Sequence, residues 1–372
     1  MTWIWQQPDW PGLHWDQTQV SALLAELRHE QGRLLGRMEA QGLSLRDDAF
    51  LHTLTTDAIK TSEIEGELLD PAQVRSSLAR RLGVDIGALT PADRHVEGVV
   101  EMMLDATRNH GAPLTDERLF AWHAALFPSG RSGMSRIRAG AWRDDNRGPM
   151  RVVSGRLGRE RVHYQAPPAV TLEAEMDVFF EWFNRPPSHD PVLKAAMAHL
   201  WFVTIHPFDD GNGRIARAIA DLVLARSDNS PQRFYSMSAQ IRTEQKAYYD
   251  ILQRTQTGET EITAWITWFL GCLHRAIESA RETFSAVLFK AAFWDRHAKT
   301  PMNARQIKVL NRLLDGFEGK LTSSKWAKLT KCSQDTAGRD IAGLMKLGVL
   351  RKGPAGGRST SYALVGLPEH LE

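Results

Sequence analysis

The sequence is poor in cysteine. Cys272 and Cys332 are the only two in 372 residues. That excludes a disulfide framework and a thiolate metal centre, and it fits a reducing compartment. Long apolar runs are also missing, so no segment reaches membrane-spanning length. The first residues, MTWIWQQPDWPGLHWD, lack the basic and apolar regions of a signal peptide. The expectation is a cytoplasmic protein with no membrane contact. Net charge is nearly absent, at +2 from 46 basic and 44 acidic residues, so the overall balance points to no partner. The 13 histidines include no pair at metal-ligand spacing that would support a zinc site. Internal repeats and low-complexity tracts are absent. What remains is ordinary for a globular chain: 42% apolar and 24% charged residues, with length enough for two or three domains.

The apolar pattern is mainly helical. Trp3, Trp5, Trp10 and Trp15, with Pro8 and Pro11 between them, read as an irregular segment pinned to a core by its indoles. QVSALLAELRHEQGRLLGRMEAQG follows at helical spacing, with Gly42 as its stop. Helical patterns then continue to about residue 288. The exception is MRVVSGRLGRERVHYQAPP, where Val152, Val153, Val162 and Tyr164 flank a turn-rich centre with Gly155 and Gly158. That pattern predicts a β-hairpin. The predicted domains are 1–90, 91–298 and 299–372.

Between two apolar helical segments lies TIHPFDDGNGRIARAI, from Thr204 to Ile219. Pro207 should end the first helix and leave His206 at its C-terminus. Gly211 and Gly213 precede the second helix, where free N–H groups and the helix dipole form an anion cradle. Arg214 and Arg217 fall in its first turns. The dipole disfavours cations there, so an anionic ligand is the reason to place them. Asp210 suits magnesium, which combines one or two carboxylates with substrate phosphates. His206 is placed to take a proton from an attacking hydroxyl. Separately, these fragments would be a helix end, a turn and solvated acids; within twelve residues they are parts for moving a phosphorus-centred group from a nucleotide.

HPFDDGNGRIAR, His206 to Arg217, resembles the Fic family signature at every defined position. The resemblance implies a mostly α fold: a Fic helical core, a small β-hairpin flap at 150–164 that holds a target segment by strand addition, and the Trp-rich N-terminal domain of some Fic proteins. It implies transfer of AMP from ATP to a Ser, Thr or Tyr hydroxyl of a protein, with Mg2+. His206 would be the general base, Phe208 a core anchor and Asp210 the magnesium ligand. Gly211, Asn212 and Gly213 would form the cradle, with Arg214 at the β-phosphate and Arg217 at the γ-phosphate. Asp209 has no assigned role. The intact GNGR favours nucleotidyl over phosphoryl transfer. TSEIEGELLD, from Thr61, resembles the family's inhibitory motif at Thr61, Glu65 and Gly66, with Glu65 paired to Arg217. An ordinary capped helix start is the alternative, and removal of AMP from a modified target through Glu65 stays open. In similar proteins an aromatic in the region of Tyr249 lines the adenine pocket, which makes Tyr249 the candidate, with core packing as the other reading. His123 in FAWHAALF reads as a buried, satisfied histidine.

The C-terminal stretch from Met302 reads as three helices, a strand, a glycine-rich turn and a strand, with Ser333 capping the third helix and Gly348 stopping it. This resembles a winged helix-turn-helix domain. Residues 302–364 hold 12 Lys/Arg and 4 Asp/Glu, a net of +8, so the rest of the chain sums to −6. Such asymmetry suits a DNA contact; a protein-interaction module is the other reading. Two functions therefore remain in view: an autoinhibited adenylyltransferase whose substrates include itself, with homodimerisation expected only from relatives, and a nucleotide-sensing DNA-binding transcriptional regulator.

Overall fold

The polar residues that start helices in this sequence do so by visible hydrogen bonds. In the computed structural model, which describes residues 2–87, 89–155, 161–314, 320–353 and 360–366, α1 (Gln17–Glu39) begins where Asp16 accepts the N–H groups of Thr18 and Gln19. Asp70 and Asp93 cap α3 (Pro71–Leu82) and α4 (Arg94–Arg108) in the same way, and Asp190 caps α7 (Pro191–Ile205) by accepting the Val192 N–H. Helices α2 (Leu43–Ile64), α5 (Asp116–Leu126), α6 (Leu172–Asn184), α8 (Asn212–Asp228), α9 (Met237–Thr243), α10 (Gln245–Gln256) and α11 (Thr263–Arg296) make up the rest of the helical body. The fold is mostly α, as expected.

The chain forms two compact units, Met1–Ala280 and Arg281–Glu372. In the first, α7 and α8 pack on each other most extensively. Every residue of α7 from Val192 to Ile205 is buried, which is why its apolar pattern lacks a polar face. Gly98 lets α4 approach α5, since a Cβ there would overlap the carbonyl oxygen of Ala125. The tryptophans pin the N-terminal segment. Trp3 packs edge-on against Tyr164 at 5.4 Å and Trp10 against Trp201 at 5.9 Å. The Trp5 indole donates to Gln165 O at 2.9 Å.

Strands β1 (Arg131–Ser132) and β2 (Ser135–Arg136) form one small antiparallel sheet. The predicted hairpin is present as β3 (Arg151–Ser154) and β4 (Arg161–Gln165), antiparallel with a bulge at Val152/Val153. Val152, Val153 and Val162 are exposed. Gly155 has a positive φ of 107°; the predicted turn glycine Gly158 lies outside the described residues.

The second unit has α12 (Ala304–Leu314), α13 (Ser323–Thr330), α14 (Gln334–Lys346) and the antiparallel pair β5 (Leu350–Lys352) and β6 (Tyr362–Leu364). Ser333 accepts the N–H of Thr336 as the cap of α14, and Gly348 follows it at φ 69°. The glycine-rich turn between β5 and β6 lies outside the described residues. The sequence places a domain boundary at 298/299, whereas the units part at 280/281, inside α11. The physical reason is that Phe289, Phe293 and Trp294 at the end of α11 belong to the core of the second unit. Cys272 and Cys332 are both free. Among the described residues no helix is long and apolar enough to cross a membrane.

Candidate active site

Helix α7 is stopped by its own sequence. Pro207 cannot continue it and disfavours helical backbone before it. His206 takes a left-handed C-cap conformation, φ 52° and ψ 57°. Its Nδ1–H donates to Val203 O at 3.1 Å, which leaves Nε2 as the lone-pair nitrogen. Burial pushes its pKa down to about 4, so the ring is neutral at physiological pH. His206 lines a cavity of about 600 Å³ together with Glu65, Asp210, Asn212, Gly213 and Tyr249.

The loop after His206 is locked by groups on four sides. Asn212 brackets Phe208: its Oδ1 accepts the Phe208 N–H at 3.0 Å and its Nδ2 donates to Phe208 O at 2.8 Å. Phe208 is fully buried and stacks face to face on His123, 4.1 Å between centroids. His123 donates through Nε2–H to Asp210 O at 3.1 Å and accepts the Gly140 N–H through Nδ1 at 3.0 Å. Arg143, 2% exposed, donates to His206 O at 2.8 Å, and its backbone N–H donates to Pro207 O at 2.9 Å. Gly211 has φ 80°, and a Cβ there would lie 2.8 Å from the Phe127 ring, so glycine is required on both counts. His123 was legible as a satisfied histidine, but its partner on the signature loop was not. A lone arginine such as Arg143 carries no signal in a single sequence.

Helix α8 then starts at Asn212. The N–H groups of Asn212, Gly213 and Arg214 occupy its first turn, where helix geometry offers no internal acceptor. Arg214 and Arg217 are 1% and 2% exposed. Arg217 Nη2 pairs with Glu65 Oε1 at 2.7 Å, and its Nε and Nη2 donate to Thr61 Oγ1 at 2.8 Å and Thr61 O at 2.9 Å. Arg217 Nη1 and Arg214 Nε are buried without a partner among the described residues. Unmatched guanidinium hydrogens at a helix N-terminus suit an anion.

Thr61, Glu65 and Gly66 end a helix. Glu65 is the C-cap of α2 and Gly66 follows at φ 82°, so the capped-helix-start alternative does not hold here. The left-handed glycine closes the helix, with the Gly66 and Glu67 N–H groups returning to Glu63 O at 3.1 Å and Ser62 O at 3.0 Å. The Glu65 carboxylate lies directly over Gly213, whose added Cβ would overlap it. Glu65 and Gly213 line the cavity, while neither Arg214 nor Arg217 does.

Asp210 Oδ1 accepts the Gly211 N–H at 2.6 Å, and its Oδ2 accepts the Ser132 hydroxyl. No cluster of three potential metal-ligating side chains occurs among the described residues. A single carboxylate beside an anion cradle still fits magnesium, which takes its remaining ligands from phosphate and water. Asp209, without an assigned role, accepts the Arg138 N–H at 2.8 Å. Tyr249 is 43% exposed and its hydroxyl donates to Ile64 O at 3.3 Å; the fully buried neighbour is Tyr248. The flap reaches the same cavity through Val152, Val153 and His163.

The chain is a mostly helical protein with small hairpins beside the loop at 206–213, and its fold is that of a solved Fic family structure. Residues 113–224 match the Fic/DOC family, and residues 3–84 match a domain of unknown function, DUF4172. The signature loop lies in the first of these segments and Thr61, Glu65 and Gly66 in the second. The chain is similar to protein adenylyltransferase Fic of Aedes aegypti, 28% identical over 221 residues, which are 58% of this chain and 39% of that protein. The protein of the same name from Nematostella vectensis is 33% identical over 117 residues, 30% of this chain and 25% of that protein. The chain thus spans about two fifths of the length of the first of these relatives. A crystal structure of a Fic family protein from Desulfovibrio desulfuricans G20 shares the fold, with a TM-score of 0.51 at 21% identity, over 93% of this chain and 97% of that one. Fic-1 of C. elegans, residues 134–508, gives a TM-score of 0.51 at 19% identity over 73% and 76%.

Proposed function

We propose that this chain is a protein adenylyltransferase, held in a resting state by Glu65. It would move AMP from ATP to a Ser, Thr or Tyr hydroxyl of a protein, itself included. The observation that carries the reading is a neutral His206, its Nε2 free of hydrogen bonds among the described residues, beside the first turn of α8 with its buried, incompletely paired arginines. In the proposed step Nε2 accepts the hydroxyl proton as that oxygen attacks the α-phosphorus; pyrophosphate leaves. The α8 N–H groups, Arg214 and Arg217 bind the phosphates. Asp210 is the residue that would hold magnesium, whose charge would offset that of the phosphates. Exposed β3 and the bulge beside it offer an edge for the target segment. Glu65, over Gly213 and paired with Arg217, occupies the place the terminal phosphate would need.

The test is His206→Ala. With labelled ATP and magnesium, label transfer to protein should disappear while ATP binding persists. Transfer at the wild-type rate would remove His206 from the reaction. The same assay on pre-labelled protein reads whether AMP is also removed. The DNA-binding regulator is less well supported, because a nucleotide sensor needs no base at position 206.

A further inference from the structure

Two residues beyond Glu65 lies a second acid with the same orientation toward α8. Glu67 Oε2 is 2.5 Å from Arg214 Nη1. Arg214 is 1% exposed, and its guanidinium lies over the Phe127 ring at 5.0 Å. The same Glu67 oxygen is 3.0 Å from His95 Nε2. His95 Nδ1 in turn is 3.3 Å from Leu126 O. A carbonyl and a carboxylate can only accept, so both ring nitrogens of His95 face acceptors, and the geometry selects the imidazolium. Its pKa is raised accordingly, first by the hydrogen bond to Glu67. Glu67 is thus anchored from α4 while it engages α8. Both signature arginines are occupied by carboxylates from one short segment.

We propose that Glu67 is a second inhibitory clamp, holding Arg214 as Glu65 holds Arg217, so that the resting state has two separable locks. The inference rests on the adenylyltransferase reading. A phosphate approaching Arg214 must displace a carboxylate already bonded to it and meets that carboxylate's like charge. The two locks answer to different phosphates: by the resemblance above, Arg214 serves the β-phosphate and Arg217 the γ-phosphate. Glu67 should therefore oppose ADP as well as ATP and leave AMP unaffected, whereas Glu65 should oppose ATP in particular. Removing Glu65 alone leaves Arg214 engaged. A Glu65→Gly protein would then be only partly released.

The test compares full-length wild type, Glu65→Gly, Glu67→Gln and the double variant. ATP, ADP and AMP are titrated calorimetrically, and initial rates of self-modification are measured with labelled ATP. Glutamine keeps the shape of Glu67 and removes its charge. Glu67→Gln is expected to tighten ADP binding about tenfold, within the roughly 5- to 150-fold range of such couplings, with AMP binding unchanged. The double variant should be faster than Glu65→Gly. Glu67→Asp, which withdraws the carboxylate by one methylene, should tighten ADP in the same direction by less, and it serves if Glu67→Gln is unstable. ADP binding that is unchanged or weaker in a folded variant would overturn the clamp and make Glu67 a residue that orients Arg214 for phosphate. If neither wild type nor Glu65→Gly binds ATP, the adenylyltransferase reading fails and the clamp with it. ATP binding and activation by Glu65→Gly, without an effect of Glu67 on ADP, would remove the clamp alone.

Discussion

Glu65→Gly should turn the resting protein on, by an amount the contacts bound. Glu65 contributes one charged hydrogen bond to Arg217, at 2.7 Å, with its own side chain 28% exposed and that of Arg217 2%. A hydrogen bond to a charged group contributes about 1.5–3 kcal/mol. At roughly 1.4 kcal/mol per factor of ten, its loss corresponds to a gain of about ten- to a hundredfold in AMP transfer. The lower end is favoured because Thr61 keeps two hydrogen bonds to the same guanidinium. Those bonds also keep the Arg217 guanidinium held against α2 once Glu65 is gone. Arg217→Ala should bring no gain, since it removes the phosphate contact together with the inhibitory pair. The assay is the initial rate of self-modification for wild type and both variants at equal ATP and magnesium, with folding checked by thermal melting. A folded Glu65→Gly protein no faster than wild type, or an Arg217→Ala protein as fast as Glu65→Gly, would refute this reasoning.

Other consequences can be checked separately. His206 has its pKa pushed down to about 4, so the rate of the Glu65→Gly variant should be flat from pH 8 to about 5 and lose its base only near that value; an acid limb near pH 6.5 would contradict the buried neutral ring. His123 and His199 are likewise depressed by burial, to about 4 and about 3. Below an unfolded-state pKa of about 6.5 the unfolded chain binds protons that the folded chain refuses. Stability should therefore fall with pH, by at most about 1.4 kcal/mol per unit for each histidine, and urea midpoints that do not drop between pH 7 and pH 5 would count against it. A fragment of residues 1–280 should fold and, carrying Glu65→Gly, modify itself. A fragment ending at 300 should be less soluble, because it strands Phe289, Phe293 and Trp294 without the core they belong to.

Much of the fold was legible because its signals are local. Asp and Ser caps, Gly42 and Pro207 punctuate the helices, and α7 could be read as buried from its apolar density. The tryptophan-rich start was legible for the same reason, since indoles in a proline-broken segment have little to do but find a core. The unit boundary was not. No proline interrupts α11 and its one glycine, Gly271, lies well before the 280/281 boundary, so only the side on which Phe293 packs tells that the helix has passed into the second unit. In the signature loop the residue types raise the expectation of an anion site, but the groups that fix the loop's shape come from 60 to 90 residues away. His123 and Arg143 reach it through backbone carbonyls, which any residue could supply and which leave no complementary letter in the sequence.

Glu67 illustrates the deeper reason. In extended chain, residues two apart share a face, but at a helix end they do not, and Glu67 after a C-cap reads as a solvated acid. What brings both carboxylates onto α8 is Gly66, whose φ of 82° inserts a left-handed turn between them. Space around Gly66 is open, with nothing within 4 Å of an added Cβ, so a side chain there would be opposed by backbone conformation and not by crowding. Gly66 is therefore more than a helix stop. It is the joint on which Glu65 and Glu67 are carried, and a substitution that relaxes its positive φ would disturb both arginine pairs at once, although it touches neither.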